Sequence, residues 1–423
     1  MESSGIPVKT ALLTVVMLLL PLDSAPAEGT DRGKASAPKK PGYHTENLRV
    51  RPLLSIRQVY DNNIFGTDEH TRSDWITLVS PQLKVDSSWT HHSLRLRAGA
   101  ESGSYWQYED EDYLDYWGSG EGRLDLNENT HLFAGLGFSY EHEGRDSPDS
   151  PARELEPTTY TSLNANAGLK TIVGDTAYRL GGTYEILDYD DVPGIGGPVI
   201  NDDRDRELLE LGIRVTRRLA EDDSVFLQAS YNQRDYDDRF DQFGFQRSSE
   251  GYRAALGVIK DWGDGNEFEA YMGVLNQDYD DRRFDNISKL DFGGRLTLVL
   301  DEATDIRTKL QRSLEETTDI GSPGYLNSSL SAKLQHRFSP RFIPYLHLGY
   351  SYYDFLETGR EDRTYSAGAG LKYFVTRNAY VVLGASHAYR NSNDKGLFLL
   401  SNDFEKTGVF LNFTALLYPL SPP

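Results

Sequence analysis

The last strand-forming run of the chain reads Thr407-Gly408-Val409-Phe410-Leu411-Asn412-Phe413-Thr414-Ala415-Leu416-Leu417-Tyr418. Every second residue from Val409 to Leu417 is apolar, whereas the alternate row mixes glycine, asparagine and threonine with larger apolar residues. Successive side chains of a β-strand point to opposite faces, so one face of this strand suits lipid and the other suits a more polar space. This pattern is typical of a transmembrane β-barrel.

Similar alternating runs recur from Leu48 onward, and we count eighteen of them. The connections alternate in length, as expected for short periplasmic turns and long external loops. The short ones lie at 127–129, 174–175, 220–223, 263–265, 301–304, 339–341 and 376–378. The longer ones lie at 144–157, 190–205, 235–248, 278–287, 314–324, 356–362 and 391–404. The sequence therefore predicts an all-β fold, a single transmembrane antiparallel barrel of about 18 strands over 48–418, followed by a C-terminal tail at 419–423.

The N-terminus has the features of a secretory signal peptide. Lys9 precedes an apolar run at 11–20 that is too short to cross a bilayer as a helix, and Ala25-Pro26-Ala27 matches an A-x-A cleavage site. The alternative is an uncleaved anchor, but no stop-transfer pattern follows. We expect residues 1–27 to be a signal peptide removed near Ala27, and residues 28–47 to form a flexible periplasmic tail.

The composition excludes several classes of protein. The chain has no cysteine, so it can hold neither disulfides nor a thiolate metal site. Its mean hydropathy of −0.55 argues against transmembrane helices. The 26 Tyr, 18 Phe and 5 Trp suit the aromatic girdles of a barrel in outer-membrane lipid, whereas a secreted acidic β-helix or sandwich has no use for them at segment ends. A net charge of −21 argues against a nucleic-acid partner.

The strand faces opposite the apolar rows carry more basic than acidic side chains, which predicts a mildly basic lumen. Two explanations remain open. The basic groups could form ion pairs between strands, or they could select anions or guide a polyanion. The basic residues concerned are Arg95, Arg97, Arg123, Arg214, Arg218, Arg253, Arg295, Arg307, Lys309, Lys333 and Lys372.

Three of the long loops open with a near-repeat of aspartate and tyrosine. Clustered carboxylates beside aromatic rings could bind divalent cations or stack on sugar rings. The alternative is a solvated acidic rim joined to the aromatic girdle. No loop has the ligand spacing of an EF-hand, so we expect no cofactor and no specific metal site. The repeats centre on Asp188 and Tyr189, Asp235 and Tyr236, and Asp278 and Tyr279.

The sequence offers no constellation of catalytic residues. Ser386 and His387 are adjacent and therefore point to opposite faces of a strand. His142 continues a lipid-facing row near a rim, where an interfacial histidine is the ordinary explanation. No Gly-x-Ser-x-Gly elbow or metal-binding histidine pair is present. We expect the protein not to be an enzyme.

Two resemblances to known outer-membrane proteins follow from short motifs. The spacing of Lys406, Gly408, Leu411 and Phe413 is similar to the C-terminal signal that the barrel-assembly machinery recognises, although here the chain continues to Pro423. This resemblance implies that the barrel-assembly machinery is a partner.

The other resemblance is to a family. Val59-Tyr60-Asp61-Asn62-Asn63-Ile64-Phe65 resembles the "YDDNIF" opening of the putative beta-barrel porin 2 family. Arg390-Asn391-Ser392-Asn393 and Ser401-Asn402-Asp403-Phe404 resemble its last loop. The resemblance covers about residues 48–418 and implies a barrel in the Gram-negative outer membrane. Members are often encoded beside exopolysaccharide or capsule genes, which implies a role in polysaccharide export, with a polysaccharide and a periplasmic export component as partners.

Three functions are therefore considered. The first is an exit conduit for an exopolysaccharide or capsular polysaccharide. The second is a general or anion-preferring diffusion porin, which usually has a constriction loop folded inward, whereas no loop here is conspicuously longer than the others. The third is a structural or adhesive barrel with acidic, aromatic outer loops.

Overall fold

The computed structural model describes residues 43–44, 47–150, 154–317, 319–394 and 402–417. The predicted signal peptide at 1–27, nearly all of the predicted tail at 28–47 and the C-terminal tail at 419–423 lie outside the described residues. Tyr43–His44, within the predicted tail, pairs with Val50 and Arg49 as a two-residue strand.

Strands make up most of the described chain. Two short 3₁₀ turns occupy Glu109–Glu111 and Asp202–Arg204. Among the described residues, no helix is both long and apolar enough to cross a membrane. The strands are β1 (Tyr43–His44), β2 (Leu48–Asp61), β3 (Asp74–Ser87), β4 (Ser93–Tyr105), β5 (Tyr113–Asn127), β6 (Thr130–His142), β7 (Thr159–Val173), β8 (Thr176–Tyr189), β9 (Arg206–Arg218), β10 (Asp223–Tyr236), β11 (Ser249–Gly263), β12 (Asn266–Tyr279), β13 (Ile287–Val299), β14 (Thr304–Glu315), β15 (Tyr325–His336), β16 (Phe342–Phe355), β17 (Glu361–Phe374), β18 (Ala379–Ser392) and β19 (Phe404–Leu416).

Strands β2 to β19 close into one antiparallel barrel. Each strand pairs with the next in the chain, and β19 pairs with β2 from Gly408 opposite Asp61 to Leu416 opposite Leu53. The eighteen-strand barrel predicted from the alternation is therefore confirmed. Closure gives each of the eighteen strands β2 to β19 a partner on both sides, which a β-structure in hydrocarbon requires because lipid offers its backbone no hydrogen bonds. Short turns join the strands at the end where β2 starts and β19 finishes, and long loops join them at the other end.

The outer face of the barrel is apolar and exposed. Leu136 and Met272 are 67% and 62% exposed, which in a water-soluble protein would be unfavourable but in a bilayer is satisfied by lipid. Leu411 and Phe413 of the predicted assembly signal lie on this face. At its long-loop end Trp75 packs against Tyr60 with ring centroids 5.2 Å apart, as expected for an interfacial aromatic girdle.

On the inner face, aromatic rings lie flat against glycines of the neighbouring strand. In each case the two residues are directly opposite each other, and a Cβ on the glycine would overlap the ring. A ring held against the wall covers exposed glycine backbone and keeps the lumen clear. The pairs are Trp117 with Gly99, Tyr113 with Gly103, Phe133 with Gly168, Phe226 with Gly257, Tyr271 with Gly293, Tyr345 with Gly370, and Phe410 with Gly384.

We predict that Gly370→Val narrows the lumen. Its side chain would occupy the position of the Tyr345 ring, whose atoms are its nearest neighbours, and would push that ring off the wall. Overpacking of this kind costs about 1–3 kcal/mol in the free energy of unfolding. We expect lower single-channel conductance in planar bilayers and an earlier denaturant midpoint. Gly118→Val is the matched control, since the nearest atom to its Cβ is 3.9 Å away, and unchanged conductance in both variants would contradict the prediction.

Candidate functional site

All eleven predicted basic residues lie on the inner strand faces, opposite the rows of exposed apolar side chains. Most of the arginines bond to carboxylates of the barrel wall, on the same strand, a neighbouring strand or, for Arg214 of β9 and Glu269 of β12, three strands away, so much of their charge is neutralised within the wall. The shortest N–O distances are 2.5 Å for Arg97 with Asp86, 2.8 Å for Arg123 with Asp125, 2.9 Å for Arg214 with Glu269, 2.7 Å for Arg295 with Glu267, 3.2 Å for Arg307 with Asp305 and 3.5 Å for Arg95 with Glu121.

The lysines behave differently from the arginines. Lys309, Lys333 and Lys372, which we call the lysine wall, form no ion pair with a carboxylate among the described residues. Lys333 lies directly opposite Arg307 on one side and His347 on the other. Because Arg307 is paired with Asp305, the net positive charge in this part of the wall comes mainly from the lysines, and it favours an anion in the lumen.

Aromatic rings lie beside the lysine wall. The Nζ atom of Lys333 is 5.5 Å from the ring centre of Tyr345, and the Nζ atom of Lys372 is 3.9 Å from that of Tyr380. This part of the lumen therefore combines unpaired positive charge with ring faces, a combination suited to acidic sugars.

The aspartate–tyrosine repeats are not loop openings, and this part of the sequence prediction is wrong. Asp188 with Tyr189, Asp235 with Tyr236, and Asp278 with Tyr279 are the last residues of β8, β10 and β12. Because the strands continue through the repeats, each aspartate faces outward and each tyrosine faces the mouth of the lumen.

The tyrosines therefore belong to the mouth and not to a lipid-facing girdle. The guanidinium of Arg206 lies 5.5 Å from the ring centre of Tyr189 and 5.6 Å from that of Tyr236, which ties two repeats together. Within the described residues, no group of three or more His, Cys, Asp or Glu could hold a metal ion.

The mouth is crossed by residues 143–150, which we call the mouth segment. It follows β6, yet it contacts the loop-side ends of β17 and β18, which we call the far wall. Arg390 of β18 donates hydrogen bonds to the carbonyls of Asp146 and Ser147, and Arg360, just before β17, donates to the carbonyl of Pro148 at 2.9 Å. β18 is six positions from β6 around the eighteen-strand ring, and Thr317, which bonds to Asp149, lies between β14 and β15, eight and nine positions from β6, so the segment passes over the lumen.

Contacts at both ends hold the mouth segment. Arg145 donates to Glu111 at 2.7 Å, and Arg204 donates to Glu143 at 2.7 Å. Near the other end of the segment, the Thr317 hydroxyl donates to Asp149 at 2.7 Å. The segment therefore joins the β4–β5, β8–β9 and β14–β15 connections to the far wall.

The β14–β15 connection also folds inward. Arg247 donates to the carbonyls of Thr317 at 2.7 Å and Ser322 at 3.0 Å, and Arg234 of β10 pairs with Glu316. The β13–β14 ladder stops at Gly293 opposite Gln311, which frees the upper part of β14 to lean over the lumen.

This lean buries Leu326, although it shares the alternation of Leu330 and Leu334, which are exposed on the outer face. Leu326 is buried at 1% exposure with Leu314 and Phe284.

Loop length, which showed no conspicuous constriction loop, was a poor guide because two loops of ordinary length cross the mouth.

The residues considered for catalysis do not assemble a site. Ser386 faces the lumen, whereas His387 faces outward, where its Nδ1 lies 2.9 Å from the Thr407 hydroxyl. His142 is not lipid-facing as expected, because its ring turns onto Tyr113 and its Nδ1 lies 2.8 Å from Asp115.

The family model described as putative beta-barrel porin 2 matches residues 41–416. The chain belongs to the putative beta-barrel porin 2 family. The resemblance seen in the short motifs is thereby confirmed. This barrel is an outer-membrane porin-like channel, and its family is one of porins and not of enzymes.

Three solved structures of Pseudomonas aeruginosa proteins are similar to this chain. OpdK, crystallised with vanillate, is 14% identical over 86% of this chain and 98% of its own, with a TM-score of 0.46. OccK9 (OpdG) is 14% identical over 87% and 98%, with a TM-score of 0.45. OccK2 (OpdF) is 10% identical over 87% and 98%, with a TM-score of 0.47. No curated protein sequence matches the chain.

The residues that hold the mouth segment across the lumen were not predicted from the sequence. Asp146 and Asp149 stand in a polar loop that resembles the others, and Arg390 and Thr317, which bond to them, are 244 and 168 positions away. The one available signal was Arg390, which opens a motif of the family resemblance. Lys406 was assigned to the assembly signal, but its Nζ also lies 3.1 Å from Asp61 and 3.7 Å from Asp146.

We predict that Lys309→Gln, Lys333→Gln and Lys372→Gln together reduce the preference of the open channel for anions. These lysines supply lumenal charge that no carboxylate of the described wall neutralises, so their loss lowers the positive potential. Reversal potentials under a salt gradient should move toward cation preference. The control is Lys260→Gln, since Lys260 lies on the outer face and pairs with Asp223. Equal potentials in the triple variant and the wild type would contradict the assignment.

We also predict that opening of the mouth rises between pH 4.5 and 7. Burial raises the pKa of Glu154 from 4.5 to about 7, and burial raises that of Asp205 to about 6. The closed mouth thus binds these protons more tightly than an open one, and its stability falls as pH rises through this window. Asp146 acts in the opposite sense, because Lys406 and Arg390 lower its pKa despite its burial, but it titrates below this window.

Opening frequency against pH in planar bilayers measures this effect. Glu154→Gln should flatten the profile, leaving the smaller contribution of Asp205. A Glu154→Gln profile as steep as that of the wild type would contradict the role of Glu154.

Proposed function

We propose that this barrel is the outer-membrane exit conduit for an acidic exopolysaccharide or capsular polysaccharide. The observation that supports this proposal best is the lysine wall, where Lys309, Lys333 and Lys372 face the lumen without an ion-paired carboxylate among the described residues. A passing anionic cargo would offset this positive charge. Translocation needs many weak contacts, because a single tight site would stop the polymer.

The rings beside the lysines suit a sugar polymer better than a simple ion. Tyr345 lies flat against Gly370 and Tyr380 lies under Lys372, so both can present a face to a passing sugar ring. Uronate groups would pair transiently with the ammonium groups while pyranose rings slide over the tyrosines. A periplasmic export component would deliver the polymer to the turn side of the barrel.

The closed mouth also separates the candidate functions. A general diffusion porin needs a pore that stands open, whereas here the mouth segment and the β14–β15 connection cross the opening. A conduit for a polymer is needed only during export. An anion-preferring diffusion porin is the second candidate, because the lysine wall would serve it equally. A structural or adhesive barrel would use only the outward carboxylates Asp188, Asp235 and Asp278.

Deletion of the gene tests the proposal. We expect the deletion strain to retain polymer in the periplasm or to lose surface polysaccharide, while uptake of small solutes stays normal. Complementation with the wild type or with Lys260→Gln should restore surface polymer. The triple variant Lys309→Gln, Lys333→Gln and Lys372→Gln should restore it poorly.

Two outcomes would contradict polysaccharide export. Normal surface polymer with reduced uptake of small anions would support the diffusion porin. Loss of surface adhesion with both transport measures unchanged would support the structural barrel.

A further inference from the structure

The motifs that carry the family resemblance meet at one place in the fold, the seam where β19 closes onto β2. Asn63 donates through Nδ2 to the carbonyl of Glu405 at 2.9 Å and to that of Thr67 at 2.7 Å, and it is fully buried. The backbone amide of Thr407 donates to Oδ1 of Asn62 at 2.6 Å. These bonds extend the seam beyond its ladder and give it a rigid upper edge.

Three cationic side chains project from this region toward the mouth segment. We call Arg360, Arg390 and Lys406 the cationic seat. Arg360 and Arg390 are only 7% and 5% exposed, so both guanidinium groups are largely removed from water. Arg390 also lies 4.7 Å from the ring centre of Phe404, another motif residue, which fixes its direction.

The fixed carboxylates neutralise the seat only in part. Arg360 donates to both oxygens of Asp362, at 2.6 and 3.2 Å, and Lys406 pairs with Asp61 at 3.1 Å. Arg390 donates through Nε to the Thr364 hydroxyl at 3.4 Å, and its two terminal nitrogens donate to the mouth segment. A buried guanidinium bonded mainly to neutral oxygens is a strong site for a carboxylate, which would form shorter, charge-assisted hydrogen bonds.

The mouth segment occupies this seat with polar groups alone. Its sequence is Glu143-Gly144-Arg145-Asp146-Ser147-Pro148-Asp149-Ser150, which contains no large apolar side chain to anchor it. The carbonyls of residues 146–148 accept hydrogen bonds from the guanidinium groups of Arg360 and Arg390. The Asp146 carboxylate lies 3.7 Å from the Nζ atom of Lys406. Each bond contributes a modest net free energy, because water or another acceptor can replace it.

We propose that the cationic seat is a binding site for a carboxylate-bearing sugar, and that the mouth segment occupies it in the closed state. A uronate that binds Arg390 and Arg360 displaces the carbonyls of residues 146–148 and releases the segment from the far wall. The channel then opens in response to the kind of anion that the lysine wall accommodates. The inference requires only that the chain is a channel, and it stands whether the cargo is a polymer or a small uronate.

Sodium glucuronate is the probe, applied to the full-length protein in planar bilayers at constant ionic strength, with glucose and sodium chloride as references. Glucuronate on the loop side should raise the opening frequency of the wild type, and neither reference should do so. Asp146→Asn weakens the contact of the mouth segment with Lys406 but leaves the cationic seat intact. It should raise basal opening about two- to fivefold and lower the glucuronate concentration needed.

Arg390→Gln removes the seat itself. Basal opening should rise about tenfold because two hydrogen bonds from a charged group are lost, and glucuronate should have no further effect. The two variants thus change the response to glucuronate in opposite directions, which general loosening of the mouth would not do. Arg217→Gln, which alters an exposed pair with Asp175 at the turn side, should match the wild type.

A disulfide supplies a test that leaves the seat untouched. The chain has no native cysteine, and the side chains of Asp149 and Thr317 are hydrogen-bonded, so Asp149→Cys with Thr317→Cys places two thiols near each other for oxidation. The oxidised form should stay closed in glucuronate, and reduction should restore opening. An oxidised form that opens with glucuronate like the wild type, or a full glucuronate response in Arg390→Gln, would overturn the proposal. Neither result depends on whether surface polysaccharide is lost in a deletion strain.

Discussion

The barrel depends on the ladder between its last and first strands. Hydrogen bonds from Gly408 opposite Asp61 to Leu416 opposite Leu53 turn an open sheet into a ring and leave none of the eighteen strands with a free edge. Closure then separates the two faces of every strand, because each residue points either to lipid or to the lumen. The lipid-facing rows, the lumenal charges and the aromatic–glycine pairs all follow from this separation.

The same seam connects the fold with the mouth. The loop-side ends of β2, β18 and β19 carry motifs whose side chains extend the ladder and also present Arg390 of β18 and Lys406 of β19 to the mouth segment. A family motif at this position can therefore serve two physical purposes. It joins the ends of the barrel, and it positions positive charge at the point where the lumen meets the outside.

Charge inside the barrel is organised in two ways. Arginines such as Arg97 and Arg295 are bonded to carboxylates within the wall. These ion pairs hold neighbouring strands in register, and they supply hydrogen bonds to charged groups that water in the lumen would hydrate only in part. The lysine wall is not neutralised in this manner. The difference matters because total lumenal charge, which a sequence can count, does not say which charges are available to a cargo.

The alternation of apolar and polar residues predicted the architecture from the sequence alone. The two-residue period of the side chains and the alternation of short and long connections are local properties, so both can be read without knowing the fold. The alternation also placed the eleven basic residues on the inner face. It misjudged His142, and it does not account for the burial of Leu326, because near the loop end the strands lean inward or their side chains bond to residues of other strands. Ion pairing and mouth closure were decided only by tertiary structure. Asp146 and Arg390 are 244 positions apart in the sequence and meet only because the ring closes. The direction in which a loop of ordinary length lies is likewise set by the closed ring.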